Sequence, residues 1–273
     1  MAIELGKLGI WRYYANVDAK FAAEAEGLGY GAIWLGGSPG GELAFVDDLL
    51  AATESLVVAT GIVNIWQDEP ASIARAYERI AGKYPDRFLL GVGAGHREAT
   101  KEYKKPYAAL VDYLDGLDAA GVPAGGRALA ALGPKVVKLS GDRTAGAHPY
   151  LTTPEHTRDT REILGAGKLL APEHKVVVET DVEKARAIGR QTVKYYLGLS
   201  NYVANLRKLG FTDEDLEGEG SDRLIDALAL HGDAETVARG LSAHLEAGAD
   251  QVIVQVLNED PWPAYRALAA ALR

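Results

Sequence analysis

The sequence predicts a single (β/α)8 barrel, an α/β fold in which eight parallel strands alternate with helices. The chain has 273 residues, close to the roughly 250 that eight strand–helix units need. Its composition is 48% hydrophobic and 25% charged, which is ordinary for a globular protein with a sizeable core. Short apolar runs alternate with helical stretches along the chain, as parallel strands joined by crossover helices require.

The predicted strands are eight short apolar runs. They cover residues 7–11, 31–35, 56–63, 87–92, 127–132, 144–147, 175–179 and 251–256. The third is rich in Val and Ile, as a strand buried on both faces should be. The fifth and sixth have the weakest patterns. Together the eight runs give the strand count of a complete barrel.

Caps and stops predict the helices between these strands. The helices cover residues 17–28, 42–52, 98–117, 134–140 and 154–165, a segment opening at 68–70, one beginning after 181, then 233–247 and a last one from 263 onwards. Asp181 and Asp233 suit N-caps, and Gly29 and Gly248 suit C-terminal stops. Residues 198–232 interrupt the repeat and are interpreted as an insertion after strand seven. Without a linker or an internal repeat, we expect one domain over residues 1–273.

Charge and composition exclude several classes of function. The net charge is −9 and the pI about 5.2, so no basic face is expected for nucleic acid or an anionic membrane. The chain has no cysteine, which removes disulfides, thiolate metal sites and cysteine nucleophiles and fits a cytoplasmic protein. No leader pattern opens the sequence, and no apolar run reaches about 18 residues. Metal-binding His-Glu-x-x-His, Gly-x-Ser-x-Gly and Gly-Lys-Thr motifs are missing, so metal, hydrolase and kinase chemistry are not expected.

The loops that follow the strands hold the candidate reactive groups, because barrel enzymes place their sites there. The loop Gly-Val-Gly-Ala-Gly-His, residues 91–96, would let a ring or a phosphate approach the backbone closely. Residues 144–150, Thr-Ala-Gly-Ala-His-Pro-Tyr, place small residues and amides beside His148. His96 and His148 are candidates for acid–base chemistry. The alternative for both loops is a structural turn, and a lone histidine is more often a structural hydrogen-bonding group.

Aromatic residues at the same end could line a pocket for a planar ligand. Trp11, Trp34 and Trp66 lie at or just after the first three predicted strands. Burial in the core is the alternative for each of them. Tyrosines and an asparagine downstream could also contribute to the pocket or cap it, or could be packing residues. These are Tyr150, Tyr195, Tyr196, Asn201 and Tyr202.

Five segments carry a family resemblance that spans essentially the whole chain. They are YGAIWLGGSP (30–39), ATGIVNIW (59–66), RFLLGVGAGH (87–96), TAGAHPY (144–150) and GADQV (248–252). In order and wording they resemble the bacterial luciferase-like oxidoreductases, especially the actinobacterial branch that uses the deazaflavin coenzyme F420. The set is specific, although no single segment would be sufficient.

The resemblance implies a TIM barrel of the luciferase-like type, with its insertion after strand seven and a flavin or deazaflavin across the strand ends. In the family the cofactor ring rests on a bulge that ends strand three and often holds a cis peptide not involving proline. The residues that correspond to this cofactor site are Val63, Asn64 and Ile65 at the bulge, Gly93, Gly95 and His96 beside the ring, and Gly146, Ala147 and His148 around the side chain and phosphate. A homodimer formed through barrel helices is also implied.

The chain departs from the family pattern in two places. Gly36 and Gly37 stand where many deazaflavin-dependent relatives carry an acidic residue and a histidine, so no catalytic role is transferred to that loop. His96 stands where some relatives have glutamate, which leaves the proton donor open between His96 and His148.

Four functional hypotheses therefore stand. The first is F420-dependent hydride exchange with a small organic substrate. The second is an FMN-dependent monooxygenase that receives reduced flavin from a separate reductase and activates oxygen. The third is a flavin-binding protein without turnover, and the fourth is an unrelated barrel enzyme that holds a sugar phosphate at residues 146–148.

Overall fold

The computed structural model describes residues 3–99 and 105–272. The fold contains one sheet of eleven short strands, and every ladder in it is parallel. The strands are β1 (Leu8–Tyr13), β2 (Ala32–Gly36), β3 (Val57–Thr60), β4 (Val63–Asn64), β5 (Phe88–Gly93), β6 (Arg127–Leu129), β7 (Gly146–Ala147), β8 (Leu169–Leu170), β9 (Glu173–Val178), β10 (Ala229–Gly232) and β11 (Val252–Val256).

The sheet closes into a barrel where the chain passes from β8 to β9. Strand β8 pairs with β7, whereas β9 pairs with β11, which in turn pairs with β1. The two residues between β8 and β9 bond to both neighbours: the Ala171 N–H donates to the Ala147 carbonyl at 3.0 Å, and the Ile253 N–H donates to the Pro172 carbonyl at 2.9 Å. Residues 169–178 therefore act as one seventh strand, and the predicted barrel is confirmed.

Helices surround the barrel. They are α1 (Ala19–Gly27), α2 (Phe45–Ala51), α3 (Pro70–Lys83), α4 (Pro106–Ala119), α5 (Pro134–Arg143), α6 (Pro154–Leu164), α7 (Val182–Leu197), α8 (Ser200–Lys208), α9 (Asp213–Leu216), α10 (Asp222–Leu228), α11 (Ala234–Glu246) and α12 (Trp262–Ala271). The predicted caps are confirmed, because Asp181 accepts from the Lys184 N–H at 3.2 Å and Asp233 from the Thr236 N–H at 2.8 Å. Within the described ranges no helix is long and apolar enough to cross a membrane.

Three elements differ from the prediction. The seventh strand begins at Leu169 rather than at 175, since Pro172 and the polar pair that follows it break the apolar pattern. Strand β10 lies inside the segment predicted as an insertion, whose residues 200–228 form α8, α9 and α10. Part of the helix predicted over 98–117, residues 100–104, lies outside the described residues.

The third predicted strand is divided into β3 and β4. The Gly61–Ile62 peptide between them is cis. The sequence placed the corresponding bulge at residues 63–65, so the observed position is two residues earlier. Strand β3 pairs with β2 and β5, whereas β4 pairs only with β5.

Alanines, larger aliphatic residues and one tryptophan fill the barrel interior. This inner cluster consists of Leu5, Ala32, Trp34, Val57, Ala59, Leu89, Ala128, Ala171 and Ile253. The Trp34 indole N–H donates to Gln251 Oε1 at 2.8 Å, and both side chains are fully buried. Because the interior is packed, a ligand site has to lie at an end of the barrel.

Candidate active site

A cavity of about 730 Å³ lies at the carboxyl ends of the barrel strands. One part of its wall is made of small residues, namely Gly61, Ala94, Gly95, Ala130, Ala131 and Gly133. Another part is aromatic and consists of Trp11, Tyr13, Tyr107, Tyr150, Tyr195, Tyr196 and Tyr202. His96 and His148 lie in the same cavity. The volume is within the range of ordinary small-molecule and cofactor pockets.

The cavity brings together only some of the site residues predicted from the sequence. Those that line it are Trp11, Asn64, Gly95, His96, His148, Tyr150 and Tyr202, and Tyr195, Tyr196 and Asn201 line it as well. Those that do not line it are Trp34, Val63, Ile65, Trp66, Gly93, Gly146 and Ala147. Their functional assignments remain predictions, but the contacts of several of them have a structural explanation.

Trp34 and Trp66 lie behind the cavity wall rather than on it. Trp34 points into the barrel and stacks on the His148 ring at a centroid distance of 4.3 Å. The Trp66 indole N–H donates to the Ala94 carbonyl at 2.7 Å and so supports the loop after β5. Of the three tryptophans expected at the pocket wall, only Trp11 lines the cavity, and a role of Trp34 and Trp66 in the pocket stays a prediction.

Two of the predicted phosphate-binding residues are required by strand pairing. Gly146 has φ +157°, and a Cβ there would overlap the Leu169 carbonyl. Ala147 is fully buried and donates and accepts within the barrel ladder. Neither Gly146 nor Ala147 lines the cavity, so His148 is the one residue of 146–148 that does.

The His148 ring is held in one tautomer. It is 2% exposed, and its Nδ1 lies 2.8 Å from the Ala171 carbonyl. Because a carbonyl oxygen only accepts, Nδ1 carries the proton and Nε2 is left as an acceptor. Burial lowers the pKa of His148 to about 4. The buried Nε2 has no hydrogen-bond partner in the described part of the chain, so the ring presents a neutral acceptor to the cavity.

Gly61 lies between His148 and Trp11. A Cβ at this position would be 3.1 Å from His148 Nε2 and 3.3 Å from Trp11 Nε1. The Trp11 indole N–H donates to the Gly61 carbonyl at 3.3 Å. Because Gly61 has no side chain, no Cβ stands between its backbone and the buried His148 Nε2 at the cavity wall.

His96 is half-buried in the loop after β5. Burial lowers its pKa, while a hydrogen bond to the Asn201 side chain and the nearby Glu98 carboxylate oppose this shift. Its Nδ1 is buried and finds no partner among residues 3–99 and 105–272. Its ring contacts Tyr202 at a centroid distance of 5.4 Å. His96 is thus the second histidine whose free nitrogen lies in the cavity wall.

Glu98 connects the loop after β5 to helix α8. Its carboxylate accepts from the Ser200 N–H at 3.0 Å. That backbone hydrogen bond lowers the pKa of Glu98 to about 2. The contact holds α8, which carries Asn201 and Tyr202, over the loop that carries His96.

The Gly36–Gly37 loop is filled by aromatic side chains of the neighbouring strand. A Cβ on Gly36 would overlap the Trp11 ring, and one on Gly37 would overlap the Tyr13 ring. The residues that many relatives place here are therefore excluded by packing. The space belongs to Trp11 and Tyr13 instead.

Sequence reasoning missed two features of the cavity. The N-terminus of α5 faces it through Leu132, Gly133 and Val136, and no side chain caps that helix. A helix N-terminus favours anionic groups, and the Gly-Pro pair that opens α5 was the available signal. Asn205 also lines the cavity; it is 8% exposed, and its Nδ2 is buried without a partner in the described ranges.

No group of three or more His, Asp or Glu side chains in the described ranges has the arrangement of a metal site. Some polar groups of the cavity bond to one another: the Tyr150 and Tyr196 hydroxyls lie 2.7 Å apart, and His96 forms a hydrogen bond with Asn201. What the cavity offers to a ligand includes backbone, aromatic rings, two histidine nitrogens and the buried amide of Asn205.

Residues 16–120 match the family model of the luciferase-like monooxygenases. This part of the chain is therefore similar in sequence to the luciferase-like monooxygenases. The matched region begins after β1 and contains β2 to β5 and the loop that carries His96. The resemblance inferred from the sequence is confirmed. No curated protein sequence matches the chain significantly.

Solved structures share the luciferase-like barrel over nearly the whole chain. An F420-dependent secondary alcohol dehydrogenase in complex with an F420–acetone adduct has a TM-score of 0.77 at 15% identity, covering 99% of this chain and 100% of that one. The coenzyme F420-dependent tetrahydromethanopterin reductase of Methanopyrus kandleri has a TM-score of 0.69 at 15% identity, covering 98% and 99%. The oxygenating constituent of 3,6-diketocamphane monooxygenase of Pseudomonas putida, in complex with FMN, has a TM-score of 0.67 at 15% identity, covering 97% and 96%. At these identities the likeness establishes the fold.

Proposed function

We propose that this chain is an oxidoreductase that binds coenzyme F420 in the cavity and exchanges hydride with a small organic substrate. The observation that carries the proposal is the pair of partnerless buried nitrogens, His96 Nδ1 and His148 Nε2, in the wall of one cavity. Buried polar atoms are rarely left without a partner. A ligand with hydrogen-bonding heteroatoms would supply a partner to both nitrogens.

The cavity wall fits a flat, heteroatom-rich ring. Gly61, Gly95, Ala94 and Ala130 present backbone or a single methyl group, so a planar ring could lie close against them. A group of negative charge on the same ligand would be favoured at the N-terminus of α5. Flavins and deazaflavins combine these features. The similar solved structures include two F420-dependent enzymes and a monooxygenase in complex with FMN.

When bound, a deazaflavin supplies a ring carbon that gives or takes hydride. The chain has to orient the ring, exclude water and manage the proton. His148, neutral with its Nδ1 proton held by Ala171, would accept a hydrogen bond from a ligand N–H or O–H. With a pKa near 4 it is a poor acid at neutral pH. His96 is half-buried and near Glu98, so we assign it the proton exchange with the substrate.

A titration of the purified protein with F420 and with FMN, followed by absorbance, tests cofactor binding. We expect saturable F420 binding that Ala130→Phe weakens at least tenfold by filling the small-residue wall. Ala119→Phe, on the exposed end of α4, is the matched control and should bind as the wild type does. FMN binding without F420 binding would reverse the choice of cofactor and favour a monooxygenase supplied by a separate reductase.

Steady-state turnover separates the two histidines. His96→Asn should lower kcat about 100-fold while the cofactor dissociation constant stays within a few-fold. His148→Asn should instead weaken cofactor binding, because its acceptor nitrogen is replaced. Unchanged turnover in the His96 variant would remove that residue from the mechanism.

Two other outcomes have their own signatures. Cofactor binding without hydride exchange to any acceptor would identify a flavin-binding protein without turnover. Failure to bind either cofactor would favour an unrelated barrel enzyme acting on a sugar phosphate. We further propose that the protein acts in the cytoplasm and forms a homodimer, which sedimentation velocity would test.

A further inference from the structure

Part of the cavity wall is a connected set of aromatic rings. Tyr150 lies at its centre, with ring centroids 5.3 Å from Trp11, 5.3 Å from Tyr196 and 6.2 Å from Tyr202. Tyr196 and Tyr202 are 5.2 Å apart at nearly perpendicular planes. We call Trp11, Tyr150, Tyr196 and Tyr202 the aromatic wall. Such tilted and edge-to-face arrangements are those that aromatic rings prefer.

The hydroxyl groups of the two central tyrosines are occupied by the protein itself. The Tyr150 hydroxyl donates to Gln255 Oε1 at 2.7 Å and lies 2.7 Å from the Tyr196 hydroxyl. Since Tyr150 has one proton, the Tyr196 hydroxyl donates to Tyr150. Gln255 does not line the cavity. The chain of hydroxyls therefore ends away from the ligand, and the rings rather than the hydroxyls are offered to it.

A buried ammonium group fixes these rings from behind. Lys175 Nζ lies 3.9 Å from the ring centroid of Tyr150 and 5.0 Å from that of Tyr196. Lys175 and its partner Glu173, 3.0 Å away, are both fully buried and do not line the cavity. The cation attracts the two ring faces, which favours the observed positions of Tyr150 and Tyr196.

The buried side chains that line the cavity are uncharged near neutral pH. Burial raises the pKa of Tyr150, Tyr196 and Tyr202, so their hydroxyls stay protonated. Burial lowers the pKa of His96 and His148. Among the lining residues that the structure describes, the one Lys, Arg, Asp or Glu is Lys208, which is exposed at the end of α8. A charged substrate that lay on the aromatic wall would lose its hydration without gaining a counterion from that wall.

The aromatic surface continues to the opening of the cavity. Tyr13, Tyr107 and Tyr195 line the cavity and are 46%, 45% and 60% exposed. They are three of the five large hydrophobic residues that are exposed in the described ranges. The position of Tyr13 depends on Gly37, and that of Trp11 on Gly36, because any side chain at either glycine would displace the ring. Gly36, which ends β2, and Gly37 thus leave the space that the Trp11 and Tyr13 rings occupy.

We propose that the substrate is an uncharged molecule with a planar aromatic ring system that stacks on the aromatic wall. This deepens the proposed function, on which it rests, by naming the class of compound that would share the cavity with the cofactor. The alternatives of similar size are an aliphatic substrate, for which the wall offers area but no stacking, and an anionic one, for which the wall offers no charge.

Three probes of similar size separate these classes: 2-acetylnaphthalene, its saturated counterpart 2-acetyldecalin, and the anion 2-naphthoate. Isothermal titration calorimetry on the 273-residue chain, with and without bound cofactor, gives the dissociation constants. We expect 2-acetylnaphthalene to bind about tenfold more tightly than either of the others, as one or two stacking contacts would give. The decalin is the more hydrophobic compound, so apolar burial alone predicts the opposite order.

Variants at Tyr202 connect the preference to the wall. Tyr202→Leu should weaken 2-acetylnaphthalene about tenfold and leave 2-acetyldecalin within twofold, whereas Tyr202→Phe should retain both affinities. Tyr84→Leu, which replaces a tyrosine that does not line the cavity, is the control and should change neither. Should Tyr202→Leu not fold, the wild-type ranking and the Tyr202→Phe variant still decide.

Equal or tighter binding of 2-acetyldecalin or 2-naphthoate overturns the proposal, as does a Tyr202→Leu variant with unchanged ranking. Failure of the proposed function is read separately, from the F420 and FMN titrations. A protein that binds neither cofactor but ranks the three probes as expected would keep the aromatic site and lose the oxidoreductase assignment.

Discussion

The buried His148 ring makes the stability of the protein depend on pH in a defined direction. Its pKa is about 4 in the folded chain, against an ordinary value of 6.5. Between these two values the unfolded chain binds more protons than the folded one, so the free energy of unfolding falls as the pH is lowered through this window. One pKa unit corresponds to about 1.4 kcal/mol, which gives roughly 3 kcal/mol over the whole window. About 2 kcal/mol of this is lost between pH 7 and pH 5.

Urea unfolding at pH 7 and pH 5 measures this contribution. Other buried histidines add to the loss in the wild type, so the comparison is with His148→Asn, which cannot titrate at this position. We expect the drop between the two pH values to be about 2 kcal/mol smaller in the variant. His244→Asn should act in the same direction, since burial also lowers the pKa of His244 to about 4. Equal drops in the wild type and in His148→Asn would refute the neutral, buried state of the ring.

Three further changes have calculable effects. Lys175→Met leaves the buried Glu173 carboxylate unpaired and should lower the unfolding free energy by about 3 to 5 kcal/mol. The double variant Glu173→Gln/Lys175→Met should recover much of this loss, as urea unfolding of the three proteins would show. If the loss in the double variant equals the sum of the two single losses, the pairing is contradicted. Asp233→Ala removes the cap of α11 and should cost about 1 kcal/mol, while Asp233→Asn keeps most of it, as thermal melts would record. Gly146→Ala should unfold the barrel or leave it largely insoluble, because its Cβ would overlap the Leu169 carbonyl; a soluble variant with an unchanged melting temperature would contradict this packing.

The strands of the barrel were predictable where both faces are apolar. β2 (Ala-Ile-Trp-Leu-Gly) and β11 (Val-Ile-Val-Gln-Val) are mostly apolar, and their observed bounds lie within one residue of the predicted ones. The start of the seventh strand was not predictable, because its inward positions hold Glu173 and Lys175. A buried ion pair inside a barrel looks like a polar loop until the partner residue is known to be adjacent in space.

The candidate site was predictable where a residue directly follows a strand. His148 directly follows β7 and His96 lies in the loop after β5, and both line the cavity. Trp11 and Trp34 lie instead within β1 and β2, where they are partners in register. Trp11 lines the cavity, whereas Trp34 is fully buried in the barrel interior. The N-terminus of α5 and Asn205 could not be inferred from reactivity, since one is backbone and the other is a residue type common on surfaces.

The packing of Trp11 and Tyr13 against Gly36 and Gly37 determines the order in which this site could be redesigned. Adding an acidic side chain at position 36 to the present chain would push the Trp11 ring out of its place. Reducing Trp11 first would open the space but remove one member of the stacked rings. An acid–base side chain at position 36 and the Trp11 ring would occupy the same space, so the site can hold one or the other. A stepwise series of substitutions from one to the other therefore passes through a protein that has neither.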